Sequence, residues 1–241
     1  MSGDAPSFQG VGPVLRQVFR FAMRPSPPAG QLPWGTALLT TLCVVLTLDV
    51  AIAIGLVLSL WGAEGLGYEP PPLREPALPE FTLWLMAIGF LPLIEEIAFR
   101  GWLSGRKAAL VLAAIGLACI SAGAVVEQVA PRAAGKASLC AVAVFVIASF
   151  YWMAAQRKPQ EMLPWFRRHY ATVVWLSSLA FGAIHLTNYE GVPRLIDVFL
   201  ILPQTVGGIL LAYTRTRLGL RAAILHHALF NALAFGLKPF L

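Results

Sequence analysis

The sequence is poor in charge. Asp, Glu, Lys and Arg make up 12% of its 241 residues, whereas hydrophobic residues make up 58% and the mean hydropathy is +0.71. About a quarter of the residues of a typical soluble protein are charged. A soluble domain of this length could not hide so many apolar side chains, and disordered chains have the opposite composition. The composition therefore indicates an integral membrane protein.

Several chemical signatures are also missing. The three cysteines all lie in apolar runs, which excludes a disulfide framework or a zinc knuckle. There is no G-x-S-x-G serine elbow and no H-E-x-x-H zinc helix. The net charge is +6, but Lys and Arg are scattered between apolar runs rather than gathered on one basic face. We therefore expect no nucleic-acid partner.

Long apolar runs are the main feature that is present. A helix needs about 20 apolar residues to cross the hydrocarbon core, and seven runs approach this length. They are Thr36–Trp61, Phe81–Gly101, Ala108–Val126, Ala137–Ala155, Tyr170–Thr187, Leu195–Tyr213 and Leu218–Leu237. The sequence predicts an all-α, polytopic transmembrane bundle of about seven spans over residues 34–241.

The distribution of Lys and Arg predicts the orientation. These residues concentrate in residues 1–33 and in every second connection after it, as the positive-inside rule expects of cytoplasmic segments. We predict a cytoplasmic N-terminus and an external C-terminus. The richness in Ala, Gly, Pro and Arg indicates a GC-rich bacterium, so the expected location is a bacterial inner membrane, with the lipid bilayer as a partner.

Residues 1–33 form a basic segment ahead of the spans. Arg16, Arg20 and Arg24 are four residues apart and share one helical face. The opposite, apolar face would hold Val11, Leu15, Val18 and Ala22. This pattern is typical of a helix that lies on the inner leaflet. A partly ordered tail is an equally good interpretation.

The second span carries three charges that are costly in a bilayer. Each would cost roughly 2.5–3.5 kcal/mol at mid-membrane on insertion scales. Glu96 and Arg100 are four residues apart, so we expect them to pair on one helical face. Glu95 is turned about 100° from Glu96 and is available for other work. Three such groups indicate an interior, polar environment.

Two later spans carry histidines at helical spacing. His185 follows Phe181 by four residues, and Asn231 follows His227 by four residues. His226 points about 100° away from His227 and could bond a neighbouring carbonyl. Any single one of these groups is more simply explained as helix–helix hydrogen bonding, and we assign that role to Asp49 and Asp197. Their recurrence on three spans, however, favours one shared functional site.

This set of groups fits amide hydrolysis. A glutamate in a desolvated pocket can act as a general base on water. Neutral histidines can orient that water or bind a metal. Asparagine and histidine can donate hydrogen bonds to an oxyanion. The residues alone leave a metal-assisted and a metal-free route open.

Three ordered motifs carry a family resemblance. They are Glu95-Glu96-Ile-Ala-Phe-Arg100-Gly101, Phe181-Gly-Ala-Ile-His185 and His227-Ala-Leu-Phe-Asn231. They match E-E-x-x-x-R-G, F-x-x-x-H and H-x-x-x-N on separate membrane helices. In this order they resemble the CPBP family of intramembrane metalloproteases, which includes the CAAX proteases and bacteriocin-processing enzymes. The type II CAAX prenyl endopeptidases are its best-known branch, and the similarity covers residues 81–237.

The resemblance implies roles for these residues. Glu95 would activate water, and the ion pair of Glu96 with Arg100 would hold the site together. His185 would orient the water, and His227 and Asn231 would stabilise the oxyanion. A divalent metal such as zinc, if used, would take Glu95, His185 and His227 as ligands. The substrate would be a peptide or a lipidated protein, cut in the prenyl branch just after a prenylated cysteine.

The sequence departs from the family pattern between its first two motifs. They often lie on neighbouring helices, but here two uncharged spans within residues 108–155 separate them. An even number of added spans keeps the helix directions unchanged, so the site can still form. We expect the two spans to build a wall or a substrate gate.

Two alternatives to an endopeptidase stay open. The first is a non-proteolytic immunity or partner-binding protein on the same scaffold, in which the polar groups only hold the bundle together. The second is a proton-coupled transporter that relays protons through Asp49, Asp197 and the histidines. The absence of an inverted repeat in the sequence counts against the transporter.

Overall fold

The structure, a computed structural model, describes residues 10–74, 78–155, 161–191 and 194–237. Within these ranges the chain is helical and forms no β-strand. The α-helices are α1 Val11–Met23, α2 Thr36–Gly65, α3 Glu80–Leu85, α4 Leu91–Arg100, α5 Lys107–Val129, α6 Ala134–Ala155, α7 Pro164–Arg168, α8 Tyr170–Ile184, α9 Leu202–Arg217 and α10 Leu220–Leu237. A π-helical turn, Met86–Phe90, joins α3 to α4. Short 3₁₀ helices cover Gly101–Ser104, Pro131–Ala133, His185–Asn188 and Leu195–Ile201.

Five helical segments in the described ranges are long and apolar enough to cross a membrane. They are Thr36–Gly65, Glu80–Ser104, Gly135–Ala155, Tyr170–Asn188 and Leu195–Arg217. Each overlaps a predicted span, which confirms the all-α architecture. The third and seventh predicted spans are helical as well, as α5 and α10, but they are not among these five. The total of seven spans and the orientation stay predictions.

The described residues fall into two compact units. One lies within Met1–Glu96 and Tyr170–Leu241, and the other lies within Ile97–His169. The second unit holds α5, α6 and α7, and α5 packs along α6. Gly116 of α5 lets the ring of Phe145 on α6 approach closely, since a Cβ at Gly116 would lie 2.9 Å from that ring.

Helix α9 is the centre of the first unit. It packs against α8, α10, α2 and α1, and most of its length is buried. Small residues permit the close approach, as is usual between membrane helices. A Cβ at Gly182 of α8 would collide with the hydroxyl of Thr205 on α9. The sequence therefore places a glycine where these two helices touch.

The turn between α9 and α10 depends on another glycine. Gly219 has a φ of +103°, in the left-handed region that favours glycine. Its N–H and that of Leu218 both donate to the carbonyl of Thr214, which satisfies the end of α9. The turn lets α10 fold back along α9.

The N-terminal helix α1 has two stripes of apolar residues, one buried against the protein and one exposed. Val14, Val18 and Phe21 are buried, and α1 packs on α2 and α9. Val11 and Leu15, which lie on the face predicted to contact the inner leaflet, are exposed, and that contact stays a prediction. The helix has apolar residues on two stripes, and the stripe that includes Phe21 packs edge-on against Tyr213.

Candidate active site

His227 lies between two carboxylates. Its Nδ1 is 3.1 Å from Glu96 Oε1, and its Nε2 is 3.6 Å from Glu95 Oε2. The two nitrogens of an imidazole point in diverging directions. One histidine on α10 can therefore reach two successive residues of α4 that point about 100° apart. The sequence predicted these three side chains for one site, and the structure brings them together.

The two glutamates differ in access. The side chain of Glu96 is fully buried, at 0% exposure, whereas that of Glu95 is 26% exposed. A carboxylate can only accept hydrogen bonds, so His227 donates its Nδ1–H to Glu96. In the neutral imidazole this leaves the lone pair on Nε2, facing Glu95. The buried glutamate thus orients the histidine, and the accessible one can meet a substrate.

Phe181 connects His227 to His185. Its ring lies edge-on to both histidines, with centroids 4.8 Å from His185 and 5.7 Å from His227. Phe181 is buried on α8, and His185 follows where α8 tightens into a 3₁₀ turn. The phenylalanine of the F-x-x-x-H motif is therefore a spacer between two polar rings, each edge-to-face pair contributing about 0.5–1.5 kcal/mol.

The backbone fixes the tautomer of His185. Its Nδ1 lies 2.7 Å from the carbonyl oxygen of Phe181. A carbonyl oxygen accepts, so Nδ1 carries the hydrogen and donates it. In the neutral ring Nε2 then carries a lone pair. His185 can therefore accept a hydrogen bond from water through Nε2.

Asn231 reaches the π-helical turn. Its Nδ2 donates a hydrogen bond of 2.7 Å to the carbonyl oxygen of Ala87. A π-turn displaces backbone carbonyls from their helical partners, and such turns recur at functional sites. Trp84 of α3 also packs edge-on against Phe235 of α10, with ring centroids 5.6 Å apart. One hydrogen of the Asn231 amide is thus committed to holding α10 against this turn.

Arg100, the sixth predicted site residue, lies at the end of α4. It is buried, at 1% exposure, and its guanidinium lies 5.7 Å from the ring centroid of Phe99. Arg100 falls in the unit Ile97–His169, whereas the other five site residues fall in the first unit. Its pairing with Glu96 stays a prediction from their four-residue spacing.

A second polar cluster includes His226 of α10, the helix that also carries His227. His226 Nε2 is 3.2 Å from Asp49 Oδ2, and His226 Nδ1 is 3.0 Å from Thr214 Oγ1. All three residues are buried. The sequence interpretation gave Asp49 a helix-packing role and His226 a carbonyl partner. It did not predict that they meet each other.

Asp197 belongs to a third group, in the first turn of the 3₁₀ helix Leu195–Ile201 that precedes α9. It accepts hydrogen bonds from Arg194 at 2.8 Å and from the hydroxyl of Tyr68 at 2.9 Å. The contact with Asp197 raises the pKa of Arg194. Burial, with a smaller contribution from the same carboxylate, raises the pKa of Tyr68. Asp197 thus ties two loops together and does not join the histidine site.

An apolar cavity of about 570 Å³ lies in the first unit. Its walls come from the second half of α2, the segment before and at the start of α9, and the end of α10. Trp61, Phe199 and Phe230 are among the lining residues. None of the six predicted site residues, all of them described, lines this cavity. The cavity can hold an apolar group, but none of the predicted hydrolytic residues faces it.

The arrangement does not fit the predicted metal set. Across the described ranges, no three His, Cys, Asp or Glu side chains are grouped so that they could hold a metal ion. His227 has both ring nitrogens directed at carboxylates. His185 has its Nδ1 committed to a backbone carbonyl. We therefore derive no chemical step through a metal.

The comparison with protein families agrees with the motifs. A family model described as type II CAAX prenyl endopeptidase Rce1-like matches residues 77–233, which include all six predicted site residues. No curated protein and no solved structure shows significant similarity to the chain. The match covers well over half of the sequence. Together with the membrane-length helices of the chain, it identifies an integral membrane protein. The chain belongs to the type II CAAX prenyl endopeptidase, Rce1-like, family.

Proposed function

We propose that this protein is an intramembrane endopeptidase in which Glu95 activates a water molecule to cleave a peptide bond. The observation that carries the proposal is the position of His227 between Glu95 and Glu96, at 3.6 and 3.1 Å. An imidazole held by a buried carboxylate and facing a second, accessible carboxylate is an arrangement suited to general base chemistry.

The distance between His227 and Glu95 suits a shared water. With its hydrogen on Nδ1, His227 presents a lone pair at Nε2 to the carboxylate of Glu95, so two acceptors face each other at 3.6 Å. Polar atoms at this separation are commonly bridged by water. A water that donates one hydrogen to each would be oriented and polarised. We place the nucleophile here.

The proposed reaction balances without a cofactor. The water oxygen attacks the carbonyl carbon of the scissile amide, and its proton passes to Glu95. The tetrahedral intermediate then collapses, the C–N bond breaks, and Glu95 returns the proton to the leaving nitrogen. The products are a carboxylic acid and an amine, and transfer of the acid's proton to the amine gives a carboxylate and an ammonium ion. Glu95 regains its starting state.

Two further groups support the intermediate. Asn231 has a second amide hydrogen beside the one that it gives to Ala87. We assign this hydrogen to the oxyanion of the intermediate. His185, with its lone pair on Nε2, would hold the water on its other side. These assignments keep the predicted roles of Glu95, His185 and Asn231, move His227 from the oxyanion to the water, and replace the metal by hydrogen bonds.

The substrate class follows from the family description. We propose a peptide cut beside a prenylated cysteine, with the lipid group held in the apolar part of the protein. The apolar cavity of about 570 Å³ in the same unit supports this choice. A bilayer-embedded site would receive the lipidated end of the substrate directly from the membrane.

The proposed topology has seven spans with a cytoplasmic N-terminus, in a bacterial inner membrane. It adds α5 and α10 to the five segments that meet the length and composition of a span. Near its middle α10 carries His226, His227 and Asn231, and each of these polar side chains contacts a partner inside the protein. Cysteine labelling of the two termini in intact and permeabilised cells would test this topology.

The central test is hydrolysis of a fluorogenic peptide that carries a farnesylated cysteine near its carboxyl terminus. The purified protein in lipid nanodiscs should cleave it, and Glu95→Gln should lower kcat by about 10²–10⁴. Glu64→Gln is the matched control, because it removes an exposed carboxylate at the end of α2. Equal activity of Glu95→Gln and the unsubstituted protein would overturn the proposal. Failure of a folded protein to cleave either prenylated or unmodified peptides would favour a non-proteolytic role.

A further inference from the structure

The cluster of Asp49, Thr214 and His226 joins three helices of the first unit. Asp49 comes from α2, Thr214 from α9 and His226 from α10. The carboxylate of Asp49 is at ion-pair distance from His226 Nε2, although off the axis of an aligned hydrogen bond. The hydroxyl of Thr214 contacts the other ring nitrogen. His226 thus has a polar neighbour on each side of its ring.

Complete burial makes this cluster unusual. The side chain of His226 has 0% and that of Asp49 has 5% exposure, His226 in α10 and Asp49 in the membrane-length helix α2. Charged and polar groups at such positions are costly and are retained for a purpose. The cluster cannot meet a substrate at this exposure. Its purpose is therefore to be sought in its effect on neighbouring residues.

The packing around Asp49 is adapted to the contact. A Cβ at Gly207 of α9 would lie 3.4 Å from Asp49 Oδ1, at the short end of ordinary van der Waals contact. The glycine lets α2 bring the carboxylate close to α9. Asp49 also lies outside the 77–233 region that matches the family. The contact is thus supplied by a part of this chain that the family match does not cover.

Helix α10 has polar contacts in three directions. His226 contacts α2 and α9, His227 contacts α4, and Asn231 contacts the π-helical turn. His226 and His227 are neighbours, about 100° apart around the helix axis. Fixing the direction of one of them therefore fixes the direction of the other.

We propose that Asp49 and His226 are positioning residues, which hold α10 at the rotation that places His227 between Glu95 and Glu96. This inference rests on the proposed function for its effect on catalysis. Apolar contacts between membrane helices have little directionality, whereas a polar contact exists at one rotation only. A 20° turn of α10 would move a side-chain tip by about 2 Å, given a helix radius of about 5 Å with side chains.

Such a displacement would matter at His227. The contact of its Nδ1 with Glu96 is 3.1 Å, close to the upper limit of a good hydrogen bond. A shift of one or two ångströms breaks that bond and moves Nε2 relative to Glu95. Misplacement of about 1 Å in a catalytic group can cost about 10²-fold in rate.

The test separates positioning from stability through paired substitution. Asp49→Leu alone leaves His226 buried without its acidic partner, so we expect a lower unfolding temperature and a lower kcat. Adding His226→Leu removes both polar groups, which is commonly neutral or stabilising for a buried pair. We expect the double variant to recover its unfolding temperature, while kcat stays depressed by about 10²-fold and KM is unchanged. Recovery of kcat together with stability would overturn the proposal.

A second readout does not need activity. The chain has four histidines, so each ring signal in a histidine-selective nitrogen NMR spectrum is assigned with one substitution. We expect the His227 signals to shift in the double variant as its contact with Glu96 changes. An unchanged His227 spectrum in a folded double variant would overturn the proposal, even if no substrate were cleaved. If the unsubstituted protein itself cleaved no substrate, that result would instead count against the proposed function alone.

Two control variants complete the design. Asp49→Asn keeps the volume and an acceptor oxygen, so it should retain most of kcat and the His227 spectrum. Asp197→Asn removes another buried carboxylate, whose partners Arg194 and Tyr68 lie on no part of α10. It should lower the unfolding temperature and leave His227 unshifted. A shift in Asp197→Asn equal to that of the double variant would contradict a specific role for Asp49.

Discussion

The side-chain amide of Asn231 donates a 2.7 Å hydrogen bond to the backbone carbonyl of Ala87. Ala87 lies in the π-helical turn that leads into α4. The bond therefore ties the helix that carries His227 to the helix that carries the two glutamates. One residue serves both the geometry of the site and, in our proposal, the oxyanion.

Replacement of Asn231 by Leu should weaken both the contact between α10 and the π-helical turn and the proposed stabilisation of the oxyanion. The substitution leaves the Ala87 carbonyl without this donor and removes the proposed oxyanion hydrogen. We expect a loss of about 1 kcal/mol in unfolding free energy, typical of a membrane hydrogen bond, and a fall in kcat of about 10²–10³. Thermal unfolding and steady-state kinetics in nanodiscs measure the two. An unchanged kcat would contradict the oxyanion assignment.

Glu96 should respond differently to an amide and to a truncation. Glu96→Gln keeps an oxygen that can accept from His227 Nδ1, so we expect a modest loss of kcat. Glu96→Ala leaves His227 without its buried partner, and we expect destabilisation of about 1–3 kcal/mol with near-complete loss of activity. Both variants are compared by kcat and by unfolding temperature. If Glu96→Gln lost as much activity as Glu95→Gln, the division of roles between the two glutamates would be wrong.

Gly182 should not tolerate a side chain. A Cβ there collides with the Thr205 hydroxyl and lies 3.1 Å from the carbonyl oxygen of Ile201. We expect Gly182→Ala to destabilise the protein by about 1–3 kcal/mol through overpacking, and Thr205→Ala in the same chain to restore part of the loss. The unfolding temperatures of the two single variants and the double variant measure the coupling. Additive effects would show that the two residues do not share one contact.

Metal removal should leave the reaction unchanged. Both nitrogens of His227 face carboxylates and Nδ1 of His185 is bound to the Phe181 carbonyl. We expect kcat after dialysis against a chelator to equal that of untreated protein. Metal analysis of the dialysed sample is the necessary control. A loss of activity that zinc restores would require His227 to turn away from Glu96 and would disprove the metal-free step.

The sequence predicted the apolar, membrane-length helices for a physical reason, and the membership of the site stays a prediction. Apolar runs of sufficient length have few alternatives to a membrane helix. The i and i+4 spacing of Phe181 with His185 places both on one face, and the structure confirms their contact at 4.8 Å. The identity of the histidine and glutamate groups followed from their cost in a bilayer.

The spacing of residues along the sequence could not predict the contacts between helices. Spacing along one helix gives directions relative to that helix only. It could not reveal that one imidazole would reach both Glu95 and Glu96, nor that His226 would meet Asp49 from another helix. The π-turn at Ala87 carries no sequence signal of its own. Relative helix rotation is decided by the packing of all neighbours together.

The geometry of the site depends on Gly219, the residue with a left-handed φ that directly precedes α10. The conformation of Gly219 sets the rotation about the helix axis at which α10 begins. The directions of His226, His227 and Asn231 follow from it because each residue of an α-helix turns by a fixed angle. A side chain at this joint would meet both an unfavourable φ and the amide of Gln31. The direction in which these three side chains point therefore depends partly on the absence of a side chain at position 219.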